Sequence, residues 1–270
     1  NDTMESQKER SRKGSKMDGS VFTEDIEKVY RDAVEGKEAG IFDGYENIVM
    51  DSKVVSIVID GAASKTAETG QKISLITNRT PFYGEMGGQV GDIGEAVSES
   101  GTRLVITESF VVEGKTIVHR AVVAAGSLNE GDELTMKVDA ERRAAIVRHH
   151  TATHLLHAAL RSVLGEHVHQ AGSYVGPDKL RFDFTHHAAV SPEELARVEE
   201  IVNDRILAAL AVRSAVKDIE SAKKEGAMAL FGEKYGDEVR MIDVEGFSKE
   251  LCGGTHVGNT AQIGFVKIVE

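Results

Sequence analysis

Two histidines one helical turn apart are the strongest chemical feature of the sequence. His150 and His154 lie in a segment with helical spacing of apolar residues, predicted to form a helix over Ala140–Leu164. A separation of four residues places both imidazoles on one face of a helix, close enough to share a metal ion. His157 lies on the same face and could replace either one. Thr151 stands where a zinc protease motif has glutamate, which disfavours a protease.

A second feature lies near the end of the sequence, where Cys252 and His256 flank two glycines that favour a tight loop over a helix. Cys252 is the only cysteine, so an internal disulfide is excluded and its thiol is a candidate for chemistry or metal binding. A buried structural cysteine is the alternative. Three imidazoles and one thiolate suit tetrahedral Zn²⁺ in number and softness. The predicted zinc ligands are His150, His154, Cys252 and His256.

Composition restricts the partners. The formal net charge of −12 argues against binding nucleic acid by bulk electrostatics, so any RNA would be contacted through small local clusters. Arg148 and Arg181 lie near the motifs and are candidates for such contacts. The same acidic charge predicts that DNA is not a partner. The sequence has no long apolar run and no targeting pattern at its start, which predicts a soluble cytoplasmic protein without a membrane partner.

The pattern along the chain predicts an α+β protein with three parts. Residues 1–40 are polar and helix-compatible, and we expect a connecting helical segment there. Residues 41–140 alternate β-branched runs with turn residues, which is typical of a small β-barrel or sandwich. Turn signals at Asp60–Gly61, Glu113–Gly114 and Glu130–Gly131 predict hairpins. The predicted strands of this part are Val54–Ile59, Ile73–Thr77, Leu104–Thr107, Thr116–Val123 and Glu133–Val138.

Residues 141–270 are predicted to form a second domain with an antiparallel sheet and packed helices. Its first helix is expected to end at Gly165, and Ser191 with Glu194 forms a capping box that predicts another helix. A short helix is expected around Ser221–Leu230. The predicted strands are Leu180–Phe184, Val212–Ile219, Val239–Val244 and Gln262–Val269.

The two motifs resemble the editing domain shared by alanyl-tRNA synthetases, free-standing alanyl-tRNA editing proteins and threonyl-tRNA synthetases. They read RHHTATHLLHAAL and ELCGGTHVG here. The glycine-rich stretch Thr80–Asp92, TPFYGEMGGQVGD, resembles a loop that precedes this domain in the alanyl branch and is missing from the threonyl one. Without the resemblance this stretch would be interpreted as a bend in a barrel. The resemblance covers nearly the whole chain and favours the alanyl branch.

The resemblance implies a zinc-dependent hydrolase that cleaves the ester joining serine or glycine to the 3′ end of an alanine tRNA. Thr153 and Gln170 match positions linked to recognition of the serine hydroxyl, and Cys252 belongs to the same reaction centre. From the residues alone, Thr153 could bond its own helix and Gln170 could face solvent. ATP and alanine would be handled by parts of a parent enzyme outside this chain. Four glycines are candidates for contact with substrate or tRNA: Gly87, Gly88, Gly253 and Gly254.

Three alternatives accompany this interpretation. The chain could be a free-standing editing protein, although its start at Asn1 and its connecting helix favour a piece of a longer enzyme. It could be a zinc module that binds RNA or protein without turnover, which a filled coordination sphere would suit. Threonyl-type editing is weakened by the glycine-rich loop. Because four protein ligands leave no open tetrahedral position, zinc is expected to position the substrate rather than to activate water, unless one ligand is displaced when the substrate binds.

Overall fold

The computed structural model of the chain describes residues 28–113, 115–229 and 236–269. These residues form two compact units. The first comprises residues 28–84 and 93–138, and the second comprises 85–92 and 139–269. The segment 85–92, expected with the barrel, therefore belongs to the second unit. Of the predicted connecting segment, residues 28–34 are helical and residues 1–27 lie outside the described part.

The first unit is built around a closed β-barrel. Its strands are β1 (Ile41–Phe42), β2 (Val49–Ile59), β3 (Ala62–Ser64), β4 (Thr66–Glu68), β5 (Lys72–Thr77), β6 (Arg79–Thr80), β7 (Gly94–Val97), β8 (Arg103–Val112), β9 (Thr116–Ala125), β10 (Ser127–Asn129) and β11 (Glu133–Val138). Six of them pair in the order β11–β7–β8–β9–β5–β2, and β11 pairs back with β2 to close the ring. Closure satisfies the backbone groups that an open sheet edge would expose.

Alternating side chains fill the barrel. Along β11, Leu134, Met136 and Val138 are buried while the residues between them are exposed. This alternation with a period of two is the pattern that identifies a strand with one buried face. The same pattern in the other strands contributes Leu75 and Leu104 to the main core of the barrel, which Phe82 also joins. A second apolar cluster contains Tyr30. The prediction of a barrel in this part of the chain is confirmed.

Of the two predicted turns that lie fully within the described residues, one forms a hairpin and the other does not. Asp60 (φ 49°) and Gly61 (φ 76°) both adopt left-handed conformations between the paired strands β2 and β3, as a tight hairpin requires. The prediction of a hairpin at Glu130–Gly131 is wrong, because the two strands that flank this turn do not pair with each other. β10 pairs with β4, whereas β11 pairs with β2 and β7. The third signal includes Gly114, which lies outside the described residues.

The second unit combines helices with two antiparallel sheets. Its helices are α1 (Ala140–Leu164), α2 (Pro192–Leu207) and α3 (Ile219–Lys224), and a 3₁₀ helix spans Thr260–Ile263. Strands β12 (Gln170–Val175) and β13 (Leu180–Phe184) form a hairpin. Strands β14 (Val212–Asp218), β15 (Glu238–Val244) and β16 (Ser248–Leu251) form a three-stranded sheet. The predicted α+β fold class is confirmed.

The helix boundaries follow local capping chemistry. The Asp139 carboxylate accepts from the backbone N–H of Arg142 at the start of α1, and α1 ends before Gly165 as predicted. Ser191 and Glu194 form the expected reciprocal capping box at the start of α2. Asp218 caps α3, so the helix expected around Ser221–Leu230 begins and ends earlier than predicted. Leu230 itself lies outside the described residues.

The strand predicted over Gln262–Val269 is wrong. Gln262 lies in the 3₁₀ helix, and its side chain bonds back to the N–H groups of Gly258 and Asn259. The following backbone N–H groups bind helix side chains: Val266 donates to Asn203 and Ile268 donates to Glu199, both on α2. The backbone groups that a strand would offer to a neighbouring strand are therefore used by α2.

The described part of the second unit has two apolar clusters, and the smaller one packs α3 against β15 and β16 through Ala222, Met241 and Leu251. The larger cluster is the main core. It joins α1 to α2 and to the C-terminal segment through Leu155, Ala159, Val198, Val202 and Ile263. Among the described residues, no helix combines the length and the apolar character needed to cross a lipid bilayer.

Candidate metal centre

The four predicted ligands meet at one place in the second unit. His150 and His154 lie on α1, Cys252 follows β16, and His256 lies four residues further on. One ligand atom from each lies within 4.8 Å of all the others. His150 and His154 are buried, at 6% and 4% exposure, while Cys252 and His256 are half-buried. This group could hold a metal ion, and its three nitrogens and one sulfur suit zinc.

The hydrogen bond to Gln89 fixes which nitrogen of His150 faces the cluster. The side-chain oxygen Oε1 of Gln89 lies 2.7 Å from Nδ1 of His150 and also accepts from the backbone N–H of Thr255 at 3.0 Å. Because an amide oxygen only accepts, Nδ1 must carry the proton. The unprotonated Nε2 then lies 3.4 Å from Sγ of Cys252. His150 is therefore held in the tautomer that a metal ligand requires.

Thr151 does the same for His256. Its hydroxyl donates to the carbonyl oxygen of Val147 at 3.0 Å, so Oγ1 accepts from its other partners. These are the backbone N–H of Val257 and Nδ1 of His256, 3.1 Å away. Nε2 of His256 is left unprotonated, 3.3 Å from Sγ of Cys252. Two imidazole lone pairs thus point at the same sulfur.

A buried carboxylate lies next to two histidines of α1, His154 and His157. Oε1 of Glu250, on β16, accepts from Nδ1 of His157 at 3.0 Å, and Oε2 lies 3.7 Å from Nδ1 of His154. The Glu250 and His157 side chains are 4% and 3% exposed. His157 thus bonds to Glu250 and does not belong to the four-residue group. Nδ1 of His154 is buried without a hydrogen-bond partner, so the carboxylate acts on His154 through its charge and not through a hydrogen bond.

The electrostatics favour neutral imidazoles. Burial lowers the pKa of His150 and of His256 well below the ordinary value, and the neighbouring histidines and Arg240 add to this effect. Burial also lowers the pKa of His154, while Glu250 opposes the shift. Burial would raise the pKa of Glu250, but the neighbouring His154 and the hydrogen bonds from the protein lower it overall. Neutral imidazole is the metal-binding form.

The loop that carries the second motif is tightly fitted. A Cβ on Gly254 would lie 2.0 Å from Cε1 of His150, so only glycine fits there. Arg240, on β15, donates to the carbonyl oxygens of Cys252 and Gly254 at 3.2 Å and 2.7 Å. A Cβ on Gly253 would meet only Met86, at an ordinary 3.7 Å. Gly254 is thus a packing requirement of the cluster, whereas Gly253 is not.

The glycine-rich segment packs on the β12–β13 hairpin. Gly87 (φ 61°) and Gly88 (φ 85°) are left-handed, and a Cβ on Gly88 would lie 2.2 Å from Oγ of Ser173. Gln170 donates to the same hydroxyl at 3.2 Å. The candidate residues Gly87, Gly88 and Gln170 therefore lie around Ser173 of β12. Gln89 pairs with the same strand through a parallel bridge to Val175.

The remaining candidates lie outside the four-residue group. Thr153 is buried on α1, and its hydroxyl donates to the carbonyl oxygen of His149 at 2.9 Å. Arg148 is half-buried on the same helix. Arg181 is exposed on β13 and pairs with Asp183 at 3.1 Å.

Three supporting residues had no role assigned from the sequence: Gln89, Arg240 and Glu250. Gln89 lies inside the glycine-rich stretch and Glu250 is the first residue of the second motif, so position within a motif is the available signal. Arg240 carried none, because a charged residue within a strand usually indicates only a solvated face.

Two family models match the sequence. Residues 1–142 match "tRNA synthetases class II (A)", and residues 239–270 match "Threonyl and Alanyl tRNA synthetase second additional domain". The chain belongs to the class II (A) tRNA synthetases. The similar curated proteins are alanine–tRNA ligases, which confirms the resemblance to the alanyl branch.

The chain is 49% identical over 233 residues to alanine–tRNA ligase of Geobacillus thermodenitrificans (strain NG80-2), covering 86% of this chain and 26% of that protein. It is 50% identical over 229 residues to that of Burkholderia multivorans (strain ATCC 17616 / 249), covering 84% and 26%. It is 45% identical over 272 residues to that of Clostridioides difficile (strain 630), covering 100% and 30%. The chain thus spans 26–30% of the length of these relatives.

Proposed function

We propose that this chain is the editing part of an alanine–tRNA ligase and hydrolyses the ester of serine or glycine wrongly joined to the acceptor end of alanine tRNA. A synthetic site for alanine cannot strongly reject serine, which adds one hydroxyl, or glycine, which lacks one methyl. A second site with different chemistry must therefore remove the wrong products. ATP and alanine would be used by parts of the parent enzyme outside this chain.

The observation that carries the proposal is the convergence of His150, His154, Cys252 and His256, with ligand atoms within 4.8 Å. Gln89 and Thr151 hold two of these imidazoles with their lone pairs towards Cys252. Such orientation of ligands by neighbouring hydrogen bonds is characteristic of built metal sites. We assign this group to Zn²⁺.

Zinc held there would supply a fixed positive charge beside the acceptor end of the tRNA. Four protein donors complete a tetrahedral shell, which favours positioning of the substrate over activation of water. The residues that would contact or place the ester are Cys252, Thr153 and Gln170. Arg148, Arg181 and the glycines of the two loops would contact the tRNA end: Gly87, Gly88, Gly253 and Gly254.

Thr153 supports discrimination between serine and alanine. Its hydroxyl proton is used by the carbonyl oxygen of His149, so Oγ1 offers lone pairs to a serine hydroxyl. With alanine in the site, a polar group held ready for that hydroxyl would stay unpaired, at a cost of about 1–3 kcal/mol. Gln170, whose amide N–H is directed to Ser173, is the second polar group that we assign to this role.

The test is hydrolysis of charged tRNA by the purified chain. We expect loss of the ester from seryl-tRNA but not from alanyl-tRNA, both prepared on alanine tRNA. Cys252→Ala should abolish the activity and reduce bound zinc, while the exposed His169→Ala should change neither. Unchanged deacylation by Cys252→Ala would reject the proposed role of the centre.

A zinc module that binds RNA without turnover is the second candidate, since the four donors fill a tetrahedral shell. The same assay separates the two. A binding module would leave both esters intact while the chain still bound the tRNA, whereas an editing domain removes serine.

A further inference from the structure

A second group of histidines lies apart from the metal centre in the second unit. His167, His186 and His187 each offer one ring nitrogen, and these atoms lie within 4.8 Å of one another. His167 and His187 are exposed, and His186 is half-buried. We call this group the surface histidine cluster. It shares no residue with the four-residue centre.

The cluster lies at the open end of the β12–β13 hairpin. His167 lies between α1 and β12, while His186 and His187 follow β13. Thr185 fixes the two backbones to each other. Its N–H donates to the carbonyl oxygen of His169 at 2.9 Å, and its hydroxyl oxygen accepts from the N–H of His169 at 3.2 Å. The three imidazoles are therefore carried by anchored backbone rather than by free loops.

The backbone before His167 is held as well. Arg161, on the last turn of α1, donates to the carbonyl oxygens of Glu166 and Val168 at 2.6 Å and 2.9 Å. The N–H of Val168 donates to the carbonyl oxygen of Gly165 at 3.2 Å. A site with anchored ligands loses less conformational entropy on binding an ion.

The imidazoles touch one another. Nε2 of His167 lies 2.8 Å from Nδ1 of His186, and the ring centroids of His186 and His187 are 4.5 Å apart. Partial desolvation lowers the pKa of His167, and His187, His186 and His169 lower it further. Mutual repulsion thus disfavours positive charge on the group. In the hydrogen bond between His167 and His186 one ring nitrogen donates to the other, so binding of an ion here would move that proton to the far nitrogen of its ring or to solvent. Neutral imidazoles at this spacing suit zinc, copper and nickel.

We infer that the surface histidine cluster is a second metal site, which takes a divalent transition metal, Zn²⁺ in particular, through three imidazoles and leaves a fourth position for water. An ion there would join the chain just before β12 to the chain just after β13. Because Gln170 is the first residue of β12, the ion would also restrain that strand.

Zinc stoichiometry tests the inference directly. The whole chain is dialysed against micromolar Zn²⁺ and its bound metal is measured. We expect two ions per chain for the unaltered protein and one for His187→Ala or His167→Ala. His169→Ala is the matched control, because His169 is an exposed histidine of the same loop outside the cluster, and it should retain two. Equal zinc stoichiometry in the unaltered chain and the His187→Ala variant would overturn the inference.

Cobalt separates this result from the fate of the other centre. Co²⁺ bound by Cys252 gives a thiolate charge-transfer absorption, which three imidazoles and water do not give. His187→Ala should keep that absorption while losing one ion. If the unaltered chain with bound Co²⁺ lacks this absorption, the result counts against the four-residue centre alone. If His187→Ala keeps the absorption and binds as many ions as the unaltered chain, the result counts against the surface cluster. Zinc should also raise the melting temperature of the unaltered chain more than that of His187→Ala.

Discussion

Oε1 of Gln89 lies 2.7 Å from Nδ1 of His150 and accepts from the backbone N–H of Thr255 at 3.0 Å. One amide oxygen therefore orients a histidine of the first motif and the loop of the second. The amide nitrogen of Gln89 completes this connection by donating to Oγ1 of Thr255 at 2.9 Å. The two motifs are thus joined by a side chain from a third segment.

Replacement of Gln89 by alanine should weaken zinc binding, because His150 loses the partner that fixes its tautomer and ring orientation. We expect a loss in affinity of about 10–100-fold. Competition with a chromophoric chelator measures this. Gln71→Ala is the control, since Gln71 is an exposed glutamine of the barrel unit. Equal zinc affinity in the two variants would contradict the assignment.

The glycine pair of the second motif provides a matched comparison. Gly254→Ala should displace His150 and lower the zinc content, because the added Cβ would lie 2.0 Å from Cε1 and 2.4 Å from Nδ1 of that ring. Gly253→Ala should bind zinc normally, since its Cβ would make only a 3.7 Å contact with Met86. Metal analysis after dialysis distinguishes them, and zinc retained by Gly254→Ala would show that the loop can yield.

Breaking the buried ion pair between Asp92 and Arg143 on one side should strongly destabilise the second unit. Nε of Arg143 lies 3.0 Å and 2.9 Å from the two carboxylate oxygens, and the side chains are 1% and 7% exposed. Asp92→Ala would leave a buried guanidinium uncompensated, and we expect a loss of about 3–5 kcal/mol in the free energy of unfolding. Denaturant unfolding of the variant and the unaltered chain measures this loss.

The exposed pair Arg197–Glu200 is the control for that experiment, at 57% and 58% side-chain exposure. Glu200→Ala should cost less than about 1 kcal/mol because solvent screens the pair. Asp92→Ala/Arg143→Met should recover much of the lost stability, since it removes both charges. Equal losses in the free energy of unfolding for Asp92→Ala and Glu200→Ala would show that burial does not raise the cost of breaking the pair.

His119 should make the barrel sensitive to acid. Burial lowers its pKa from the ordinary 6.5 to about 3. The imidazole of His119 is therefore protonated more readily in the unfolded chain than in the folded chain. The contribution of neutral His119 to stability is complete above the unfolded pKa and is lost as the pH falls through that value towards the folded pKa, by up to about 1.4 kcal/mol per pH unit. Hydrogen exchange of the β9 amides between neutral and acid pH measures this loss.

The control for acid sensitivity removes the titrating group with its partner. Ser109 and His119 are both buried and lie 2.9 Å apart between Oγ and Nδ1. Ser109→Ala/His119→Leu replaces both polar groups, which avoids leaving one of them unpaired. The double variant should show a shallower pH dependence than the unaltered barrel. Identical slopes would remove His119 as the cause.

Much of the barrel is encoded locally, and its closure is not. Strands such as Glu133–Val138 could be predicted because inward and outward residues alternate strictly. The pairing of β11 with β2 depends on matching two distant segments, such as Met136 with Met50, which no local pattern records. The strand prediction for the last segment is wrong because Asn203 and Glu199 bind its backbone, and a strand-like composition does not reveal such partners.

The candidate site, like the barrel, could be predicted from the sequence only in part. Helical periodicity brings His150 to His154, and the Gly–Gly loop brings Cys252 to His256, so each half could be predicted from spacing alone. Gln89 comes from a segment far from both motifs in sequence, and Arg240 comes from the strand β15, outside both motifs. Their roles depend on the parallel bridge between Gln89 and Val175 and on the strand pairing of Arg240. Tertiary contacts of this kind leave no periodic trace in the sequence.

Residues 85–92 leave the first unit, join the second, and return before β7. Neither unit is therefore one continuous stretch of the gene. A truncated product starting at residue 139 would keep all four candidate ligands yet lose Gln89 and Asp92, and with them the amide that orients His150 and the carboxylate that neutralises Arg143. Any excision, fusion or recombination that transplants the histidine–cysteine cluster must carry this eight-residue excursion with it.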